Sequence, residues 1–205
     1  MGRGRPGVRH QAGLKADLEA FLVSTLVVAI GEIGDKTQLL ALILAARFRR
    51  PVPIILGILF ATLANHTLAG LLGAWVRAAV APDVLRWGLG LSFLAIAVWA
   101  LKPDEIDDEP VTVSKYGAFA VTFVAFFLAE IGDKTQLATV ALAARFDSLV
   151  AVVAGTTAGM LIADVPAVFL ADRASTKIPL KVIRYIAAAL FAAMGITALA
   201  GFSFG

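Results

Sequence analysis

The chain has 205 residues, of which 60% are hydrophobic and only 16% charged, and it contains no cysteine. A soluble domain averages roughly 45–50% apolar and about 25% charged residues, so this composition indicates lipid as the solvent. The absence of cysteine excludes disulfides, thiolate metal sites and a cysteine nucleophile. The formal net charge of +3 comes from basic clusters outside the apolar stretches. Such clusters are typical of residues that orient a protein in a membrane, and they favour that role over nucleic-acid binding.

Six apolar stretches are long enough to cross a hydrocarbon core of ~30 Å, which takes about 20 helical residues. A basic, glycine-rich tail over residues 1–17 comes first and is expected to be mobile. Backbone groups in lipid must pair within their own segment, so stretches of this length and even hydrophobicity predict helices. The predicted spans cover residues 19–46, 52–76, 83–101, 116–145, 148–171 and 179–202.

An internal repeat organises these spans. The segment EIGDKTQL at 32–39 recurs unchanged at 130–137, and 13 of the 17 positions from 32–48 are identical at an offset of 98. We therefore divide the chain into a first three-helix repeat (18–101), an acidic linker (102–114) and a second three-helix repeat (115–205). Because three is odd, the repeats must be inverted. The predicted fold is an all-α integral membrane protein with six transmembrane helices in two inverted three-helix repeats, an architecture common among secondary transporters.

Basic residues in the loops predict the orientation. The loops after the first, third and fifth spans carry nine basic residues, against three after the second and fourth. The positive-inside rule then places the first set in the cytoplasm and both termini outside. Counting the four basic residues of the tail reduces this difference to nine against seven.

Charges inside the spans are the strongest functional signal. Of 33 formally charged residues, seven lie well within the predicted spans, and six of these belong to the two motif copies. Each costs roughly 2.5–3.5 kcal/mol at the centre of a bilayer, so partners or function must offset it. A purely structural role is the less favoured alternative, since Ser or Asn would cost less. The seven are Glu32, Asp35, Lys36, Glu130, Asp133, Lys134 and Asp164.

The spacing within each motif predicts an ion pair on a continuous helix. Glu32 and Lys36 are four residues apart in the favourable order, and the second copy repeats this spacing. Four carboxylates against two lysines leave a charge of −2, which one divalent cation or two protons would cancel. This balance suggests cation/proton antiport. The glycines Gly31, Gly34 and Gly132 are interpreted as allowing close helix packing, and unwinding of the helix at a binding site is the alternative.

The polar side chains of the motifs offer only oxygen as a ligand. Such donors suit hard cations such as Ca²⁺, Mg²⁺ and Mn²⁺, whereas Cu and Zn favour thiolate and imidazole. The candidate ligands are Glu32, Asp35, Thr37, Gln38, Glu130, Asp133, Thr135 and Gln136.

The second helix of each repeat adds an ionisable group. His66 and Asp164 are equivalent at the offset of 98, and Asn65 lies beside His66. A proton-coupling role and a role in hydrogen bonding between helices are both open for these residues.

The Glu-x-Gly-Asp-Lys-Thr motif in the first helix of each repeat resembles the Gdt-one family of divalent cation/proton exchangers, over about residues 18–203. The resemblance implies that the motif acids bind metal, with Thr37, Gln38, Thr135 and Gln136 adjoining, and that Mn²⁺ or Ca²⁺ leaves the cytosol against protons. It implies no resident cofactor and a multi-pass protein of the bacterial plasma membrane, with the cation, protons and lipid as partners. A cation channel is the alternative, and an intramembrane enzyme is less favoured. A homodimer stays open.

Overall fold

A computed structural model describes residues 6–102, 117–170 and 180–201, and every regular element in these ranges is a helix. All but the first residue of the predicted acidic linker lies outside them. The eight helices are α1 (Pro6–Glu32), α2 (Lys36–Phe48), α3 (Pro51–Ala79), α4 (Pro82–Ala100), α5 (Ala118–Ala129), α6 (Lys134–Arg145), α7 (Leu149–Leu170) and α8 (Leu180–Leu199).

Three of these helices, α3, α4 and α7, are long and apolar enough to cross a membrane. Their bounds lie within three residues of the second, third and fifth predicted spans. Helix α5 and the Arg184–Leu199 part of α8 are shorter apolar helices. Helix α1 begins at Pro6, so residues 6–17 extend a helix where the sequence predicts a separate tail. The Ala, Leu, Lys and Glu residues that precede the apolar part of α1 are good helix formers, which accounts for the extension.

The prediction of continuous first and fourth spans is wrong, because both helices break within the motif. Gly34 has φ 83° and Gly132 has φ 77°, in the left-handed region that favours glycine. The interpretation of these two glycines as packing residues is therefore also wrong. Gly31 does remain in α1, where an added Cβ would make ordinary contact with Thr135 at 3.6 Å.

Six helices, α1–α3 and α5–α7, pack into a body held together at glycines. Helices α1 and α7 run parallel, since Gly155 lies against Phe21 and Gly159 lies against Thr25. Helix α3 packs on α5, α6 and α7, and a Cβ at Gly57 would lie 2.7 Å from Cβ of Thr122 on α5. Approaches this close leave no space for a side chain, so these interfaces fit tightly.

Helices α4 and α8 form a separate antiparallel pair, which we call the α4–α8 pair. A Cβ at Gly195 would lie 2.9 Å from both the carbonyl oxygen of Gly90 and Cγ of Leu94. The two backbones are thus in near contact, and the pair packs more closely within itself than either helix packs on the body.

The two ends of the bundle are defined by loops and by one ion pair. Arg77 in the last turn of α3 pairs with Asp147 between α6 and α7, and we call this the Arg77 end. The opposite end holds Arg49 between α2 and α3, and we call it the Arg49 end. Helices α3 and α5 both start there, because Gly57 lies against Phe119.

The glycine turns give a first testable expectation. Gly132→Ala should lower the free energy of unfolding by about 1–2 kcal/mol, because an L-residue is strained at φ 77° although nothing described lies within 4 Å of the added Cβ. Gly88→Ala is the matched control: the site is equally open but helical, so stability should stay the same or rise slightly. Denaturant titration of the purified protein in detergent measures both. Equal stability of the two variants would contradict the turn.

Candidate cation site

The two motif turns meet in the bundle, and their ion pairs cross from one repeat to the other. Lys36 Nζ lies 3.4 Å from Asp133 Oδ1, and Lys134 Nζ lies 3.2 Å from Asp35 Oδ2. The predicted Glu32–Lys36 pair within one helix is wrong, because the break removes Lys36 from the helix that carries Glu32. Each lysine neutralises an aspartate of the other copy. The charges therefore join the two repeats.

Each motif aspartate starts the helix that follows the break. Asp35 Oδ1 accepts a hydrogen bond from the backbone N–H of Lys36 at 2.6 Å, and Asp133 Oδ2 accepts one from the backbone N–H of Thr135 at 3.5 Å. The N-termini of α2 and α6 therefore lie at the carboxylates. Their partial positive charge stabilises acids that would otherwise be costly in lipid.

The two glutamines close the motif turns. Gln38 Oε1 accepts from the backbone N–H of Gly34 at 2.9 Å, and Gln136 Oε1 accepts from the backbone N–H of Gly132 at 2.8 Å. Gln38 also donates to the carbonyl oxygen of Ala163 on α7 at 3.0 Å. These contacts give both side chains a role in shaping the turn, and direct metal ligation by them stays a prediction.

The two threonines hold the two glutamates. Thr37 Oγ1 donates to Glu32 Oε2 at 2.7 Å, and Thr135 Oγ1 donates to Glu130 Oε2 at 3.1 Å. All four side chains are buried. Each glutamate thus has one oxygen held in place, which orients the other oxygen for a ligand.

Three acids from both copies form a cluster that could hold a metal ion. One carboxylate oxygen each from Glu32, Asp35 and Asp133 lies within 4.8 Å of the other two. An ion at the centre of such a triangle would be at most about 2.8 Å from each oxygen, close to the roughly 2.3–2.6 Å of Ca²⁺–oxygen bonds. A small inward shift would suit Mn²⁺. The cluster therefore has the donor type and the size for a hard divalent cation.

Further acid oxygens lie buried near this cluster. Among the described residues, Glu32 Oε1, Glu130 Oε1 and both carboxylate oxygens of Asp164 are buried without a hydrogen-bond partner. Asp164 is close enough to Asp35, Glu32 and Glu130 for their charges to repel one another. Buried charges need a counter-charge or a proton, so these oxygens favour binding of a cation or of protons.

The structure separates the three polar residues of the second helices. Asp164 on α7 joins the acids electrostatically, whereas Asn65 on α3 donates to the carbonyl oxygen of Phe127 at 2.9 Å, near the broken end of α5. His66 is fully buried, and neither ring nitrogen has a hydrogen-bond partner in the described part of the chain. The repeat thus buries an ionisable group twice, and Asp164 is the one that interacts electrostatically with Asp35 among the described residues.

The structure also adds a residue that the sequence analysis did not assign to the site. Arg184 on α8 lines a cavity of about 10 Å³ together with Asp35 and Lys134. A signal for it was present, because Arg86 on α4 is its equivalent at the offset of 98. A cation pathway does not require an arginine, so charge type alone gave no reason to select it.

Comparison with known proteins identifies the class. Residues 20–108 and 118–203 match the family model described as "Divalent cation/proton antiporter GDT1". The chain belongs to this family, which confirms the resemblance drawn from the motifs. Together with the apolar helices, membership identifies a membrane transport protein.

Individual relatives agree with this. A Vibrio cholerae protein named "Putative manganese exporter" is 49% identical over 180 residues, covering 87% of this chain and 90% of the relative. The Synechocystis "GDT1-like protein sll0615" is 30% identical over 184 residues, covering 78% of this chain and 88% of the relative. A chloroplastic GDT1-like protein 1 of Oryza sativa subsp. indica is 38% identical over 87 residues, covering 42% of this chain and 25% of the relative. No solved structure matches the chain.

Proposed function

We propose that this chain exports Mn²⁺, with Ca²⁺ as the alternative cation, from a bacterial cytosol in exchange for protons, through one site built from both motif copies. The observation that carries the proposal is the crossing of the two ion pairs, which brings acids of both repeats into one buried cluster. The family supports cation/proton exchange, and the name of the Vibrio relative supports manganese.

The proposed architecture is six transmembrane helices in two inverted repeats, with α1–α2 and α5–α6 each forming one broken span. Packing supports inversion. Phe21 of α1 lies beside Gly155 in the part of α7 nearest the Arg77 end, so α1 enters from that end. Phe119 of α5 lies beside Gly57 at the Arg49 end. Broken helices whose ends meet at a repeat interface are a common ion site in secondary transporters.

Charge balance supports exchange of one cation for protons. The four motif acids and Asp164 carry five formal negative charges, against three positive charges on the two lysines and Arg184, so the site has a net charge of −2 when all are ionised. A divalent cation cancels two of these charges, and protons can cancel the same charges after the cation leaves. Because the acids repel one another, either occupant is favoured over an empty ionised site.

The proposed location is the inner membrane of a bacterium, with the Arg49 end in the cytoplasm. Arg47, Arg49, Arg50 and Lys102 belong to that end among the described residues, and the loop count of the whole sequence agrees. In this orientation the cation would enter the site from the Arg49 end and leave from the Arg77 end.

A flux assay in proteoliposomes tests the proposal. An imposed pH gradient should drive Mn²⁺ movement, Mn²⁺ should in turn drive proton movement, and a protonophore should abolish the first effect. Competition by Ca²⁺ and Mg²⁺ in the same assay ranks the cations. Mn²⁺ flux that ignores the pH gradient would instead support the channel.

A further inference from the structure

The two repeats carry matching motifs, but the α4–α8 pair packs against them unequally. Helix α4 packs on α6, and α8 packs on α1. At the offset of 98 the equivalent contacts would be α8 on α2 and α4 on α5, and neither forms a substantial interface among the described residues. The pair therefore packs against α1 and α6, the two helices that lie between the motif turns and the Arg77 end.

The consequence is visible on equivalent faces of α2 and α6. Ala141 of α6 is 4% exposed beneath α4, whereas its equivalent Ile43 of α2 is 47% exposed. Ala144 is likewise buried, and its equivalent Ala46 is exposed. One face of α2, formed by Leu39, Ile43 and Ala46, is thus apolar and exposed. On the equivalent face of α6, Ala141 and Ala144 are buried, whereas Leu137 lines the groove beside α4 and is 44% exposed.

The two motif lysines show the same inequality at the site itself. The side chain of Lys36 is 30% exposed, and that of Lys134 is 6% exposed. Lys36 starts α2, which runs to the Arg49 end, and Lys134 starts α6, which runs to the Arg77 end. The α4–α8 pair contributes to the burial of Lys134, since Ala100 of α4 and Ala187 of α8 line a small cavity together with that lysine.

The pair is joined to the body only loosely. A groove of about 480 Å³ separates α4 from the ends of α3 and α6, and its lining is almost entirely apolar. A second groove of about 230 Å³ separates α8 from α1 and the end of α6. Within the pair, by contrast, Gly90 and Gly195 bring the backbones into near contact. Such a tight unit on a loose support can move as one body.

We propose that the α4–α8 pair is the moving element of this transporter, and that in the second state α8 docks on the Leu39–Ile43–Ala46 face of α2. This rests on the proposed transport function. The moving bodies are then the pair and the six-helix body, each built from both repeats, and not the two halves of the chain. Covering α2 and α5 would close access from the Arg49 end and uncover Lys134 towards the Arg77 end.

The two equivalent arginines fit this movement. Arg184 lines the small cavity beside Asp35 and Lys134, while Arg86 is exposed and its guanidinium carbon lies 6.0 Å from the ring centre of Trp87. In the second state Arg86 takes the equivalent place beside Asp133 and Lys36. One arginine thus approaches the site in each state.

The absence of native cysteines allows a direct test by cross-linking in proteoliposomes. Leu89→Cys with Ala141→Cys joins α4 to α6 across the groove that both residues line. The equivalent pair, Ala187→Cys with Ile43→Cys, joins α8 to α2 and is formed only in the second state. Gly90→Cys with Leu199→Cys joins the two helices of the pair, where the side chain of Leu199 meets an added Cβ. Single-cysteine variants are the controls.

A bifunctional methanethiosulfonate reagent is expected to form both unit-to-body cross-links during exchange. These cross-links are mixed disulfides, so each should lower transport by at least about tenfold until a reductant removes it. A disulfide within the pair should leave transport within about twofold of the reduced form. Transport by the reduced forms shows that each variant is folded. Failure of the α8-to-α2 cross-link to form during exchange, or loss of transport when the disulfide within the pair forms, would overturn the proposal.

A second measurement uses single cysteines and is independent of cross-linking geometry. When an imposed pH gradient shifts the state, labelling of Ile43→Cys should slow as that of Ala141→Cys accelerates; parallel changes would count against the movement. Cross-links and labelling are read on gels without reference to the cargo. If both states are trapped but Mn²⁺/H⁺ exchange is absent, the proposed function is wrong and the proposed movement is supported. If exchange occurs but the α8-to-α2 state is never trapped, the function is supported and the movement is wrong.

Discussion

Glu32→Gln and Glu130→Gln are each expected to abolish cation/proton exchange, and neither motif copy should rescue the other. Both glutamates are fully buried and held by an equivalent threonine, and acids of both copies enter one cluster. Loss of an outer partner of a metal ligand typically costs about 10–100-fold in affinity, so loss of a charged oxygen from the proposed site should cost more than about a hundredfold. Initial rates of Mn²⁺ uptake in proteoliposomes measure the effect.

Asp83→Asn is the control for these glutamate variants, because Asp83 is an exposed acid in the first turn of α4 at the Arg77 end. It removes one carboxylate without touching the site and should leave transport unchanged. Near-normal transport by either glutamate variant would show that the two motif copies do not form one site.

Lys134→Met is expected to destabilise the protein far more than Lys36→Met. Lys134 is almost fully buried against Asp35, and breaking a buried pair by removing one partner costs about 3–5 kcal/mol. Lys36 pairs with Asp133 but is 30% exposed, so solvent around it should limit the loss to about 1 kcal/mol. Free energies of unfolding in detergent, measured at one pH without divalent cations, provide the comparison.

The double variant Lys134→Met with Asp35→Asn controls for the lysine's packing. If the loss reflects an uncompensated carboxylate, neutralising Asp35 should recover most of it. Equal destabilisation by the two lysine variants would mean that the unequal burial of the two copies does not persist in solution.

Much of the architecture follows from the sequence alone. The bounds of α3, α4, α7 and α8 lie within three residues of the predicted spans, since a long apolar segment has few alternatives to helix in lipid. The motif and its duplication likewise identified the family, which the comparison confirmed. The candidate acids could be selected from the sequence because burying a charge in an apolar segment costs free energy, whichever residue pairs with it.

The break in the first helix of each repeat was harder to predict from the sequence. A helix that contains Gly34 can pack closely or turn sharply, and propensity does not separate these outcomes. What decides is whether the freed backbone groups find partners, and Asp35 and Gln38 supply them. These contacts are local, but they form only once the turn exists.

The sequence by itself determined which segments are apolar, which charges they bury and that the motif occurs twice. Tertiary structure decided that Lys36 pairs with Asp133 and Lys134 with Asp35, and that the α4–α8 pair covers one copy and leaves the other open. The free-energy cost of burying a charge depends on the residue type and can be read from the sequence. The partner of that charge depends on how distant segments pack, and this is visible only in the structure. Among the described residues, the α4–α8 pair packs on α6 and α1 and not on their equivalents α2 and α5, and only a three-dimensional structure shows this difference.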